Sequence, residues 1–305
     1  MIAAMSRREA EEAVARLMAW QRSLVTKAQA LARGFTEEMI RSRLETGRWV
    51  RVGAGVYRLA GAEVTWEQLA LAACLIAGPG AVLSHRSAAV VWQLAGCRPG
   101  RIDIAVPAGR SGRNSIARVH RVADLARRDL TVRRGLPVTR PARTLEDAAS
   151  VLTRSALEDA VDDALCRRLV PLEVLVERAV RGSGSGVRAL RQVLGTWGPG
   201  PLPGSVGEIR VARWLVQHGA PTPVRQCVVR DARGRFVAKV DLGFPTERVA
   251  LEVHSMRWHG PPRAAARDDI REARIRAAGW TLHWCVATEP LWDALAAIQC
   301  ARTAA

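Results

Sequence analysis

Residues 1–60 carry their apolar positions at two successive spacings. Residues 6–20 are Ala-rich with helical spacing, and Thr26-Lys-Ala-Gln29 has the form of a capping box opening a short helix that ends at Gly34. Thr36 caps the next helix, Glu37 and Glu38 place negative charge in its first turn, Ile40 and Leu44 form its buried stripe, and Gly47 lies just past its end. The spacing then changes to alternation. Trp49-Val-Arg-Val, Gly53-Ala-Gly55 and Val56-Tyr-Arg-Leu59 predict two strands around a glycine turn.

Helix, helix and two-stranded wing make a winged helix-turn-helix. Its second helix would enter a major groove and its wing would lie over the backbone, with Arg41, Arg43, Arg48, Arg51 and Arg58 as the DNA-facing charges. Glu37 and Glu38 sit at the end that normally enters the groove and would repel phosphate there, so protein docking is the alternative use of this module.

The pattern beyond residue 62 is an α/β mixture without a derivable topology. A helix over 66–77 stops at Gly78-Pro79-Gly80, and a second, capped by Ser84, runs to Leu94 with Gly96 closing it. Strands follow at 102–106, 118–121 and about 130–139. Pro141 then sits where a first helical turn accepts proline, and further helices reach Leu194. Gly182-Ser-Gly-Ser-Gly186 predicts a bend, and Gly198-Pro-Gly-Pro-Leu-Pro-Gly204 a stiffer linker and domain boundary. After it come a helix (205–219), three strands (224–229, 236–242, 249–254), a helix (262–278), a strand (280–286) and a terminal helix (290–301). The fold class is therefore α/β multidomain. A winged helix occupies 1–62, an α/β middle domain 63–196, and an αβββαβ domain 203–305.

Composition removes several function classes. No apolar run approaches the roughly 20 residues that span a bilayer, and the charged, Ala-rich first 20 residues predict an amphipathic helix rather than a signal peptide. A cytoplasmic protein is expected, without membrane partners. Six cysteines stand singly, so neither structural zinc nor a disulfide framework is expected. The net charge is +17, and residues 98–143 hold twelve Arg against Asp103, Asp124 and Asp129, a local +9. GC-rich coding accounts for 44 of 46 basic residues being Arg, but not for the shortage of acids. This footprint suits phosphate or an acidic protein.

Candidate chemistry concentrates after residue 203. Hydrolysing a phosphodiester at neutral pH requires charge neutralisation and an activated water, and magnesium held by one or two carboxylates supplies both. Strand residues two apart share a face. Glu252 and His254 bracket Val253, and Lys239 and Asp241 bracket Val240, so paired strands would bring two carboxylates, an imidazole and an ammonium to one face. Glu208 can add a third carboxylate from the preceding helix, and His259 is a further site-lining candidate. Glu252 within Val249-Ala-Leu-Glu-Val is hard to explain structurally, because an unpaired buried carboxylate is costly. His218 and His283 look structural, and Asp268 with Arg271 could be a surface ion pair.

Glu on a first helix, Asp ending a second strand and Glu-x-Lys or a variant on a third resembles the PD-(D/E)xK nucleases. Ser205-Val-Gly-Glu208, Lys239-Val-Asp-Leu242, Val249-Ala-Leu-Glu-Val-His254, Trp258-His259, Arg267-Asp-Asp-Ile-Arg271 and Ala278-Gly-Trp-Thr-Leu282 narrow it to actinobacterial domains related to very-short-patch repair endonucleases. The resemblance covers roughly residues 203–290. It implies a restriction-endonuclease-like fold, Mg2+ or Mn2+ at Asp241, Glu252 and Glu208, a contribution from the Val253 carbonyl, and an Asp268-x-x-Arg271 pair facing the site. His254 stands where the pattern has lysine; it could serve as base or water-positioner, with Lys239 supplying the ammonium.

At the other end, Val25-Thr-Lys-Ala-Gln-Ala-Leu-Ala-Arg-Gly, Gly47-Arg-Trp and Gly55-Val-Tyr57 resemble the N-terminal domain of AbiE-type antitoxins. Ser84-His-Arg-Ser-Ala-Ala89 and Leu136-Pro-Val-Thr-Arg-Pro-Ala-Arg-Thr-Leu145 resemble their middle domain. This covers about residues 22–150 and implies transcriptional autoregulation and a cognate toxin partner. Residue by residue, no group in the middle domain suggests catalysis, and His85 reads as packing. The combined expectation is a DNA-associated protein with a metal-dependent endonuclease-like domain acting on duplex DNA. The alternative is a non-enzymatic repressor or antitoxin with an inactive nuclease fold.

Overall fold

The computed structural model describes residues 6–109, 114–182, 185–195, 206–254, 262–287 and 291–303. The chain divides into two compact units: residues 1–160 with 173–190, and residues 161–172 with 191–305.

In the first unit, capping chemistry sets the helix starts. Ser6 and Glu9 form a capping box at α1 (Arg7–Trp20), and Thr26 with Gln29 forms another at α2 (Lys27–Leu31). The Thr36 hydroxyl accepts from Met39 N at the start of α3 (Glu37–Glu45). The wing strands are β2 (Trp49–Gly53) and β3 (Val56–Leu59), turning through Gly55 at φ 64°, a conformation that favours glycine. One strand escapes the sequence pattern. β1 (Leu24–Thr26) pairs antiparallel with β3 and makes a three-stranded sheet in the order β1-β3-β2.

Helix α4 (Trp66–Ala77) is capped by Thr65, and its Leu71, Ala72 and Cys74 share one apolar cluster with Leu24 of β1 and Val56 of β3. Packing there is close enough that a Cβ on Gly53 would lie 2.3 Å from Ile76 Cδ1. Arg22 and Glu67 (3.3 Å), with Gln68 Nε2 donating to Arg22 O (2.8 Å), fix the module to the segment after it.

The middle segment forms a five-stranded mixed sheet, β6-β5-β4-β8-β7, from β4 (Val82–Leu83), β5 (Ile102–Pro107), β6 (Ala117–Val122), β7 (Leu130–Arg133) and β8 (Leu136–Thr139). The single expected strand over 130–139 is thus a hairpin, and two-residue β4 is too short to show a period. Helix α5 (His85–Val91) departs from expectation at both ends. Ser84 makes no capping bond, and the helix stops three residues early because Gln93 turns left-handed, at φ 57°. Pro141 opens α6 (Pro141–Ala148) as expected. Helices α7 (Arg154–Cys166), α8 (Leu172–Arg181) and α9 (Ser185–Gly195) follow.

The second unit carries α10 (Val206–Gln217), β9 (Val224–Arg230), β10 (Phe236–Phe244), β11 (Val249–His254), α11 (Pro262–Ala277), β12 (Thr281–Val286) and α12 (Trp292–Thr303). Its sheet runs β12-β11-β10-β9, antiparallel except for the parallel β11–β12 pair. Adjacent residues of β11 settle the layers. Val249 and Leu251 cluster with Val211 and Leu215 of α10 and with Leu295 and Ile298 of α12, whereas Ala250 clusters with Ile275 of α11. Helices therefore cover both faces. Fully buried Asp162 pairs with Arg213 at 3.1 Å, which ties residues 161–172 to this unit.

Candidate functional site

The carboxylate site follows from strand register. Leu242 pairs with Leu251, so by register Asp241 stands across from Glu252. Leu242–Leu251 is the last backbone pair between these strands among the described residues. Beyond it, the Val253 N–H donates to Asp241 Oδ2 at 2.9 Å, so a carboxylate takes the place of a ladder carbonyl where the strands part. Glu208, buried at the start of α10, and Asp241 are joined by one amide: Gln226 Nε2 donates to Glu208 Oε2 at 3.1 Å and to Asp241 Oδ1 at 3.3 Å. Glu252 is bonded by Arg271 of α11, whose Nη2 also donates to the Lys239 carbonyl.

These groups perturb one another. Burial pushes the Glu252 carboxyl up to about 8, the Asp241 charge adds to the rise, Arg271 opposes it, and Glu208 contributes in the same direction as Asp241. A carboxyl kept largely protonated at neutral pH beside two others is a strongly perturbed acidic cluster of the kind that gathers at functional sites. Among the described residues, no group of three or more His, Cys, Asp and Glu is placed ready to hold a metal ion.

Other candidates separate. Lys239 is exposed, and among the described residues the positive charge that meets Glu252 belongs to Arg271. Of the two readings of Arg271, the site-facing one describes its contacts. His254 ends β11, paired with Val286; its side chain, like that of Asp268, and the whole of His259 lie outside the described residues. Gln226 went unsingled by sequence. Its φ of 49° inside a strand is the signal, and the pattern Val224-Arg-Gln-Cys gives no hint of it. His218 is structural, its Nδ1 bonded to Trp214 O at 2.8 Å and its ring stacked on Trp214.

In the N-terminal module the five arginines divide. Arg43 bonds Glu11 at 2.7 Å, holding α3 against α1, and Arg58 Nη1 donates to the carbonyls of Leu59, Ala60 and Ala62. Arg41, Arg48 and Arg51 remain exposed, Arg41 beside Glu38 at 3.2 Å and Arg51 over the Tyr57 ring. Lys27 pairs with Glu37 at 2.8 Å and holds that carboxyl below its ordinary range, which mutes the anionic end of α3.

The +9 stretch is also partly consumed. Arg143 is buried, with Nε on Asp147 Oδ1 at 2.8 Å and Nη1 on Asp124 O at 3.1 Å, and it lies 3.7 Å from Asp129. Arg178 closes this network on Asp129 and Glu146. Arg133 stacks over Trp92. Arg98, Arg101, Arg118, Arg127, Arg128 and Arg140 stay exposed. Buried His85 stacks on His120 at 3.5 Å, with His120 on Asp103 and Ser84 on His85, each at 2.8 Å. Burial lowers His85 to about 3, the neutral packing imidazole expected of it.

Residues 12–60 match the family described as the transcriptional regulator, AbiEi antitoxin, so this module is an AbiEi antitoxin-like regulator domain of the DNA-binding kind. Two curated Mycobacterium tuberculosis sequences, uncharacterized protein Rv2248 of strain H37Rv and uncharacterized protein MT2308 of strain CDC 1551, are each similar at 29% identity over 150 residues, 48% of this chain and 54% of the relative. The chain spans about half the length of the curated relatives it matches. The crystal structure of the RV2827C protein from Mycobacterium tuberculosis superposes with TM-score 0.44 at 21% identity, covering 61% of this chain and 76% of that one. No helix among the described residues is long and apolar enough to cross a membrane.

Proposed function

We propose that this protein is a DNA-associated regulator whose second unit cleaves phosphodiesters with a divalent cation. The winged helix would set α3 in the major groove of duplex DNA with Arg41, Arg48 and Arg51 toward the backbone, and the antitoxin likeness extends to a cognate toxin as protein partner. The nuclease reading rests on one observation, the convergence of Glu208, Asp241 and Glu252 where β10 and β11 part. The αβββαβ order, with helices on both faces, supports a restriction-endonuclease-like reading of this unit.

The donor set fits the ion expected. Three carboxylates are hard oxygen donors of the kind Mg2+ and Mn2+ take. Asp241 and Glu252 would hold the ion with Glu208 in support and the Val253 carbonyl beside them, and the ion would supply a more acidic water and charge neutralisation. Arg271 would meet charge developing on the phosphate, and His254 would position the water or accept its proton. Incubating the full chain with plasmid DNA in Mg2+, Mn2+ or chelator tests this. Wild type should nick or linearise plasmid only with metal, and Asp241→Ala should do neither.

A second reading is a repressor or antitoxin that retains the nuclease-like unit as a scaffold. The amide nitrogen of Gln226 between Glu208 and Asp241 favours it, since that arrangement holds the carboxylates together without a cation. Wild-type protein inert with both metals would decide for this reading.

A further inference from the structure

The residue between the carboxylates is neither acid nor base, and its backbone is strained to put it there. Gln226 has φ 49° within β9, a left-handed conformation that a residue with a Cβ adopts in a strand only when its surroundings impose it. The register across β9 and β10 pairs Val240 with Cys227 and Leu242 with Arg225, so Gln226 lies opposite Asp241. Its side chain then spends one nitrogen on two carboxylates from different elements, Glu208 of α10 and Asp241 of β10. The two N–H groups of one neutral amide nitrogen suffice to donate one bond to each of two carboxylates.

Resting on the metal reading above, we infer that Gln226 is a built-in stand-in for the cation. In the metal-free protein its NH2 holds Glu208 and Asp241 together; for the carboxylates to share an ion, that amide must withdraw. Gln226 is thus a positioning residue that keeps the site assembled and sets a threshold for metal entry.

Gln226→Gly is the decisive variant, because glycine accepts φ 49° without strain and removes the amide together with its short stem. The readouts are titration calorimetry with Mn2+ alone and the Mn2+-induced rise in melting temperature, both on the full chain without DNA. If the bridged arrangement holds nine-tenths of the metal-free population, removing it tightens Mn2+ binding by about tenfold. The variant's Mn2+-induced rise in melting temperature should then exceed the wild type's at equal Mn2+. Gln226→Glu should act in the same direction from the other side, melting below wild type at pH 8 without metal and recovering when Mn2+ is added. Detectable Mn2+ binding by the variant but not by wild type would support the inference most strongly. Equal or weaker binding by Gln226→Gly, with wild type still binding Mn2+, would overturn the stand-in while leaving the metal reading intact. No Mn2+ binding by any of the three proteins would overturn both.

Discussion

Asp147 in the first unit and Glu252 in the second are both carboxyls that burial pushes up, to about 6 and about 8 respectively, and they part company in what stands next to them. The strongest neighbour of Asp147 is Arg143, whose guanidinium bonds it at 2.8 Å and pulls its titration back down. The strongest neighbour of Glu252 is another carboxylate, Asp241, which pushes the titration further up. The same residue type is buried in both places. In the first unit the fold supplies Arg143 and Arg178 to Asp129, Glu146 and Asp147, a cluster that holds helices and loops together. In the second, two carboxyls face each other across two strands, and Glu252 keeps its proton to a pH well above the usual carboxylate range, which costs folding energy as pH rises.

Cutting one guanidinium from each cluster should separate them most sharply. Arg143 is buried among acids, so Arg143→Ala leaves Asp147 and Asp129 without it and should cost about 3–5 kcal/mol, a large part of a typical domain's stability. Arg271 has a side chain 41% exposed, and losing its pair with Glu252 should cost about 0–1 kcal/mol. Its effect should instead appear in plasmid cleavage, lower by about 10²–10³ as for one donor that meets developing charge. Urea melts and cleavage rates on the two variants make the comparison. Equal destabilisation by both substitutions would make the carboxylate site one more structural network.

The pH dependence sharpens the contrast. Folded Glu252 holds its proton up to about 8 while an unfolded glutamate releases it near 4.5. Between those values the folded state binds more protons, so this group's contribution to stability falls as pH rises and levels off above 8. Glu252→Gln removes the dependence. In metal-free protein its melting temperature should gain on wild type steadily from pH 5 to pH 8, by several degrees at the top of the range. Asp147→Asn should do the opposite at neutral pH despite the raised carboxyl, because it takes the counter-charge from buried Arg143. A pH-independent difference for Glu252→Gln would mean that neither burial nor the Asp241 charge raises the titration of Glu252.

These particulars also mark what was legible beforehand. Asp241 and Glu252 could be placed on one face because strand alternation is a period of two, and Thr26, Thr36 and Pro141 fixed helix starts by local chemistry. β1 and β4 were invisible because three and two residues carry no period, and both are recruited by partners distant in sequence. Gln226 was illegible for a different reason. Its backbone is left-handed, its side chain bonds groups on β10 and α10 that lie 15 and 18 residues away, and nothing in its sequence neighbours demands it. Counting charges overstated the arginine surface for the same cause: Glu11 claims Arg43 from 32 residues away, and the acids around Arg143 turn a charge counted as surface into one that is buried.

The smallest expected effect divides the N-terminal arginines. Each phosphate contact releases counterions and adds about one to the slope of log affinity against log salt. Arg41, Arg48 and Arg51 are exposed on α3, the turn after it and the wing, so alanine at each should weaken nonspecific duplex binding severalfold and lower that slope by up to about one. Arg48 should act most fully, since Arg41 is shared with Glu38 and Arg51 with Tyr57. Arg58 spends its guanidinium on three carbonyls after β3, each at 3.2 Å, and Arg43 spends its own on Glu11. Arg43→Ala and Arg58→Ala should therefore lower the melting temperature by a few degrees and leave the salt slope where it was. The measurement is affinity for a nonspecific duplex from 50 to 200 mM salt, with melting temperatures alongside. Should Arg58→Ala flatten the slope as much as Arg48→Ala, its guanidinium leaves those carbonyls for phosphate when DNA arrives, and the wing is a moving part of the interface rather than its fixed edge.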